Sequence, residues 1–233
     1  MKKAVHSPLD RTSRPGLSES QEDYLKQIFL LGEEGGRVST QALARRLRVK
    51  PASVTEMVSR LAQLGLVEHA PYRGVRLTEG GKRVALEMVR HHRLLETYLV
   101  EHLGYTWDEV HDEAERLEHV ISERFEARIA EVMGHPTRDP HGDPIPTPDL
   151  SVPPEDTSVP LQELPAGSTG TVVRVVVQDP ESLELLEGLG LSPGSVVEVI
   201  SGHKRGVRIR VGGDGVLVPA HLAELLWMEG AES

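Results

Sequence analysis

The sequence predicts a mainly α-helical protein with a small β domain: a winged helix-turn-helix, a helical domain and a C-terminal β barrel. Three observations carry that expectation. Helix starts and stops succeed one another from Ser18 to about Met133; residues 135–160 are dense in proline and aspartate; and the remainder alternates short β-branched runs with glycine turns. The boundaries that follow are 1–79 for the winged helix, with 1–17 as a frayed arm, 80–140 for the helical domain, 141–160 for a proline-rich linker and 161–233 for the β domain.

Ser18 with Gln21 forms a capping-box start, and Tyr24, Leu25, Ile28 and Leu31 follow at helical spacing up to Gly35-Gly36. Next come STQALARRL (39–47) and PASVTEMVSRLAQL (51–64), the second with proline at its start and Gly65 past its end. Two short helices joined by a tight link read as helix-turn-helix. LVEHAPYRGVRL (66–77) has strand-like ends around Pro71 and Gly74, so it is expected to fold back as a wing. A long helix is expected from Thr78 through EHL at 101–103, then a second from a capping box at Thr106–Glu109 to about Met133. After the linker, TGTVVRVVV, SVVEVI, VRIRV and VLVP are short strands, with GGDG supplying a hairpin turn.

Composition narrows the chemistry. The 233 residues contain no cysteine, which excludes disulfides, thiolate metal sites and cysteine nucleophiles. The opening MKKAVHSPLD has no apolar stretch of signal-peptide length behind it and no long apolar run occurs, so a cytoplasmic protein without membrane contact is expected. The net charge of −10 hides an asymmetry: residues 1–80 carry 13 Lys and Arg against 9 Asp and Glu, whereas residues 81–233 carry 13 against 27. Between Arg37 and Arg76 eight basic residues face only Glu56 and Glu68. A basic block on a winged helix suggests a phosphate-facing surface.

Seven of the eleven histidines fall between residues 91 and 141. On the helix expected after Trp107, His111, Glu115, Glu118 and His119 follow i, i+4, i+7 and i+8, a single arc beside the apolar one of Val110, Ala114, Leu117, Ile121 and Phe125. His92 and Glu96 repeat the i, i+4 pairing on the preceding helix. Imidazole and carboxylate without thiolate suit Mn, Fe(II), Ni or Zn, and the carboxylate enrichment leans toward Mn. An acidic helix can also show such spacings on a merely solvated face, and that alternative stays open here. His91 and His102 read as surface or packing residues, His135 and His141 as linker residues, and His203 with Lys204 and Arg205 as a turn.

The segments SESQEDYLKQIFLL, PASVTEMVSRLAQLGLVEH, PYRGVRLTEGGK, RHHRLLETYL, VHDEAERLEHVIS and GDPIPTPD resemble the iron- and manganese-dependent repressors of the diphtheria-toxin-repressor family over most of residues 18–150. From TGTVVRVV to WM the chain resembles the family's SH3-like domain. The resemblance implies a primary metal site of Asp23, Glu115, Glu118 and His119, and an ancillary one of His92, Glu96 and His111 completed by Asp179 or Glu181. Carboxylates at Asp23 and Glu115, where the iron-responsive branch has softer sulfur ligands, imply Mn(II) as effector and the three-domain manganese branch. Lys26 departs from the two-helix manganese regulators, which carry glutamate there, and argues against their binuclear site.

The resemblance further implies a homodimer, formed through the helical domain, that binds double-stranded operator DNA and needs no organic cofactor. Lys50, Ser53, Thr55 and Glu56 lie early enough in the recognition helix to reach base edges, while Arg60, Arg73 and Arg76 are expected to hold phosphates. An Fe(II)- or Zn(II)-responsive repressor is the alternative within the family. From other classes, a winged-helix repressor sensing a small organic molecule is the competing reading; a di-metal carboxylate enzyme is disfavoured because neither Glu-x-x-His nor HExxH occurs.

Overall fold

A computed structural model describes residues 16–32, 36–70, 73–107, 109–153, 157–176 and 179–232. The expected arm up to residue 15, Pro71 and Tyr72 of the wing, Asp108 of the second capping box and residues 154–156 of the linker lie outside the described residues. The chain forms two compact units. One takes the residues up to His92 with Arg116–His135 and Pro146–Ser151; the other takes Arg93–Glu115, Pro136–Ile145 and Val152–Ser233. Among the described residues no helix is long and apolar enough to cross a membrane.

In the first unit, α1 (Glu19–Leu31) begins where Gln21 Oε1 accepts the Ser18 backbone N–H at 2.9 Å. Ser39 caps α2 (Thr40–Arg46) by accepting the Ala42 N–H, and Pro51 opens α3 (Pro51–Gln63). The wing pairs β1 (Val67–Ala70) with β2 (Gly74–Leu77), and Val38 bridges to Val75 as a third short partner. Tyr24, Leu25 and Ile28 of α1 share one core with Leu43, Val54, Val58, Leu61, Val67 and Val75. Each element donates one apolar face, so the three helices and the wing form one packed body.

The long helix α4 (Glu79–Leu103) runs through both units. The second expected helix differs from its reading: it is two helices, α5 (Val110–Leu117) and α6 (Glu123–Val132), separated by a turn at 118–122. At the break the Glu118 carbonyl meets His91 Nδ1 at 3.1 Å, and Ser122 starts α6 afresh by accepting the Phe125 N–H. Val120 and Ile121 kept the apolar period going in sequence, yet the turn leaves Val120 exposed. Glu118 and His119 therefore project from a turn.

The second unit holds β3 (Val159–Pro160), β4 (Thr169–Val175), α7 (Pro180–Gly188), β5 (Val196–His203), β6 (Gly206–Val211), β7 (Asp214–Pro219), α8 (Ala220–Ala223) and β8 (Leu226–Glu232). The strands form one antiparallel sheet in the order β3-β8-β4-β5-β6-β7. The GGDG hairpin forms as expected: Val211 pairs with Asp214 across Gly212 and Gly213, both at positive φ. Trp107 joins Val172, Leu186, Ile209 and Leu226 in the core of this unit.

The linker expected over 141–160 is in its first part a packed segment. Residues 136–145 bury Asp139, His141 and Ile145, and the Val175 N–H donates to the His141 carbonyl at 2.8 Å. Gly142 has φ +87 and lies so close to β4 that a Cβ there would stand 2.0 Å from the Val173 carbonyl oxygen. These contacts, together with the Arg93 bond to the Pro144 carbonyl at 2.6 Å, hold this proline-containing backbone in place.

Gly81, in the first turn of α4, leaves no space for a side chain: a Cβ would sit 1.9 Å from the Leu66 carbonyl oxygen, at the end of the recognition unit. Gly81→Ala is expected to destabilise the protein by about 1–3 kcal/mol, read as a lower urea midpoint at unchanged slope. Gly36→Ala, with open space around its Cβ, serves as the control. Equal midpoints for the two variants would contradict the close contact.

Candidate metal centre

Asp23 on α1 and Glu118 and His119 in the α5–α6 turn bring one ligand atom each within 4.8 Å of one another. His119 Nδ1 lies 2.8 Å from Glu22 Oε2, and its Nε2 lies 3.0 Å from Asp23 Oδ1 and 3.7 Å from Glu118 Oε1. Asp23 Oδ1 is buried and has no hydrogen-bond partner despite that proximity. Burial works against a proton on His119, but the carboxylates of Asp23, Glu22 and Glu118 outweigh it and push the pKa up to about 10. A proton thus supplies positive charge that the carboxylates demand.

This donor set fits a divalent cation. Glu22 can fix the ring by accepting from Nδ1–H, which leaves the Nε2 lone pair directed at the orphaned Asp23 oxygen. Two carboxylates and an imidazole are hard to intermediate donors. Glu118 is itself tightly held: its Oε1 accepts from Lys26 Nζ at 2.6 Å and its Oε2 stands 2.5 Å from His92 Nδ1, with Glu118 fully buried. Glu22 escaped the sequence reading, although its place beside Asp23 was a usable signal.

The remaining expected ligands have these partners. Glu115 falls in the second unit, where its carboxylate lies 3.8 Å from His111 Nε2. His92 belongs to the first unit and meets Glu118, while Glu96 and His111 meet in the second at 3.1 Å. Asp179 is the exposed N-cap of α7, its oxygen accepting the Ser182 N–H at 2.9 Å, which holds its pKa below the usual carboxylate range. Glu181, in the first turn of the same helix, is exposed. Neither belongs to an acid–histidine cluster among the described residues.

Two histidines read as incidental are buried among acids. His141 Nδ1 stands 3.8 Å from Glu96 Oε2 and its ring stacks on Trp107, with centroids 5.1 Å apart. Asp139 completes that group; its Oδ1 accepts the N–H of His141 and of Asp143, and burial with the charges of Asp143 and Glu96 pushes its pKa up to about 7. His91 is fully buried beside Glu87 and Glu123. Helical spacing could have paired Glu87 with His91, but the distant partners needed the tertiary structure.

On α3, Val54, Val58 and Leu61 are buried, while Lys50, Ser53, Thr55, Glu56 and Arg60 are exposed. Arg60 pairs with Glu56 one turn back at 3.4 Å. On the wing, Arg73 and Arg76 are exposed, and Glu68 pairs with both Arg76 at 2.7 Å and Arg37 at 3.5 Å. The structure therefore presents every expected DNA-facing residue to solvent.

Comparison with known proteins accounts for the whole order of parts. Residues 16–75 match the iron dependent repressor N-terminal DNA binding domain, 78–147 the iron dependent repressor metal binding and dimerisation domain, and 159–230 the FeoA domain. The chain is 37% identical over 225 residues to the iron-dependent repressor IdeR of Mycobacterium tuberculosis, covering 91% of this chain and 98% of that protein. It is 35% identical over 194 residues to the diphtheria toxin repressor of Corynebacterium diphtheriae, covering 79% and 85% respectively. Among solved structures, a manganese-dependent transcriptional repressor in complex with manganese aligns with TM-score 0.81 and 42% identity over 89% of this chain and 98% of that one. IdeR of T. acidophilum aligns with TM-score 0.74 and 32% identity over 92% and 99%. Repressors of this kind bind operator DNA and dimerise through the metal-binding domain. The chain belongs to the diphtheria-toxin-repressor family and is a metal-dependent transcriptional repressor.

Proposed function

We propose that the protein is a Mn(II)-responsive repressor of metal-transport genes that acts as a homodimer on a palindromic operator. The observation that carries this reading is the all-oxygen-and-nitrogen character of the Asp23–Glu118–His119 cluster, in a chain without cysteine. Hard carboxylates favour Mn(II) relative to sulfur donors, which select softer or more tightly held metals. Fe(II) is the second reading, supported by likeness to relatives named iron-dependent repressors. A relative, ScaR, has been solved with bound Zn(II), at 30% identity and TM-score 0.75, so Zn(II) belongs in the same comparison.

Asp23, Glu118 and His119 Nε2 would hold the cation, with Glu22 orienting the ring. A bound cation supplies concentrated positive charge and directional ligation at that point. Asp23 then ties α1 to the α5–α6 turn. Because α1 shares its core with α2 and α3, the position of the recognition helix follows from that of α1. Two recognition helices must be about 34 Å apart to enter successive major grooves on one DNA face. Without the tie, the winged helix samples several orientations, and ligation selects the competent one. In this reading Lys50, Ser53, Thr55 and Glu56 read bases while Arg60, Arg73 and Arg76 hold phosphates.

Fluorescence anisotropy of a promoter fragment from a metal-transporter gene, titrated with metal-stripped protein and Mn(II), anaerobic Fe(II) or Zn(II), tests the assignment. Salt-sensitive binding is expected with Mn(II), and equal or better activation by Fe(II) would replace Mn(II) by the second reading. DNA affinity unchanged by metal or chelator would point to an organic effector instead. His119→Ala is expected to abolish the metal response while sedimentation still shows a dimer; an intact response would remove His119 from the site. Glu22→Gln is expected to weaken metal binding about 10–100-fold, seen by competition with a fluorescent chelator. Unchanged affinity would show that Glu22 does not orient the ring. Arg60→Ala is expected to weaken binding to all sequences and to reduce the slope of log K against log salt by about 0.9 per subunit, or about 1.8 for the dimer. A changed base preference at constant slope would place Arg60 among the readers.

A further inference from the structure

His91, Glu87 and Glu123 form an acid–histidine cluster apart from Asp23, Glu118 and His119, and the mechanism above uses none of them. Glu87 and His91 are one turn apart on α4, and Glu123 is in the first turn of α6. One ligand atom of each lies within 4.8 Å of the others. His91 has no exposed surface. Its Nδ1 lies 3.1 Å from the Glu118 backbone carbonyl, an oxygen that can only accept, so Nδ1 carries the hydrogen. In the neutral ring, Nε2 is then a lone pair.

That lone pair faces acids. Nε2 is 3.5 Å from Glu126 Oε2 and 3.7 Å from Glu123 Oε1, and neither Nε2 nor Glu123 Oε1 has a hydrogen-bond partner. A protonated ring donating from Nε2 would draw a carboxylate to about 2.7–2.9 Å. Both gaps are too wide for that, and the 3.7 Å between Nε2 and Glu123 Oε1 can be spanned by one ion about 2.0–2.2 Å from each atom. Glu126 is neutralised by Arg90, whose Nε lies 2.6 Å from its Oε1, and Arg90 also donates to the Pro146 carbonyl at 2.5 Å. Arg90 is thus committed to Glu126, and Glu87 and Glu123 are the two carboxylates that bring an oxygen within 4.8 Å of the imidazole.

We propose that Glu87, His91 and Glu123 bind a first-row divalent cation that staples α4 to α6, as a structural site separate from the Asp23–Glu118–His119 centre. One imidazole and two carboxylates suit Mn(II) through Zn(II), with Co(II) and Zn(II) held more tightly than Mn(II). The inference does not depend on which metal activates DNA binding.

The test is metal stoichiometry of the full-length protein. Metal-stripped wild type, Glu123→Gln, His91→Gln and Asp23→Ala are dialysed against buffered free Co(II), metal per chain is measured by mass spectrometry, and circular dichroism checks the fold. Glu123→Gln and His91→Gln are each expected to bind one equivalent fewer than wild type, and Glu123→Gln with Asp23→Ala two fewer. Adventitious surface metal persists in every variant and cancels in the difference. Glu123 retains some exposure and its amide is nearly isosteric, so this variant reports even where the buried His91 change unfolds the chain. Wild-type stoichiometry in folded Glu123→Gln would overturn the proposal and leave a packing cluster without metal. An unchanged metal content in Asp23→Ala would count against the primary centre alone.

Discussion

The buried Glu118 carboxylate is the constraint on which the first unit depends. It sits in the break between α5 and α6 with no exposed surface, and it receives Lys26 from α1 and His92 from α4 while its backbone carbonyl meets His91. Placing an ion there is expensive unless every oxygen finds a partner, and here two helices supply them. The break lies at this residue, so its carbonyl is free of the helical ladder and meets the His91 ring. In the proposed reading, one residue serves both the metal and the architecture.

From that point the remaining geometry follows by packing. Lys26 and Asp23 lie on the helix that also presents Tyr24, Leu25 and Ile28 to the helix-turn-helix core. Any change in how α1 meets the turn is felt by α3, since close-packed interiors shift as bodies rather than deform locally. The charge distribution divides the labour: acids concentrate in the part that holds metal, and bases in the part that faces DNA. Glu68, holding Arg37 and Arg76 together, keeps the wing shaped within that basic surface.

The winged helix was legible in the sequence because its signals are local: a capping box at Ser18, Pro51 at a helix start, and strand residues around Gly74. The turn at 118–122 was not, because Val120 and Ile121 continue an apolar period, and the contact of the Glu118 carbonyl with His91 joins residues 27 positions apart. Asp23, Glu118 and His119 were named and are brought together, whereas Glu115 lies with His111 and Asp179 caps a helix. Residues 136–145 were misread because proline density marks a loosely held chain as readily as a fixed one. Whether such a segment docks is decided by contacts such as Gly142 against Val173, far apart in sequence.

That docked segment also lays the His141 ring on the Trp107 indole, with the two planes inclined by only 11°. An indole in face contact with an imidazolium loses excited-state energy to it by electron transfer, and recovers its emission when the ring is neutral. Burial favours the neutral ring, while Glu96, Asp139 and Asp143 more than offset it and favour the charged one. Trp107 is one of two tryptophans in the chain. The second unit thereby carries an optical gauge of its own internal charge, readable in the unlabelled protein.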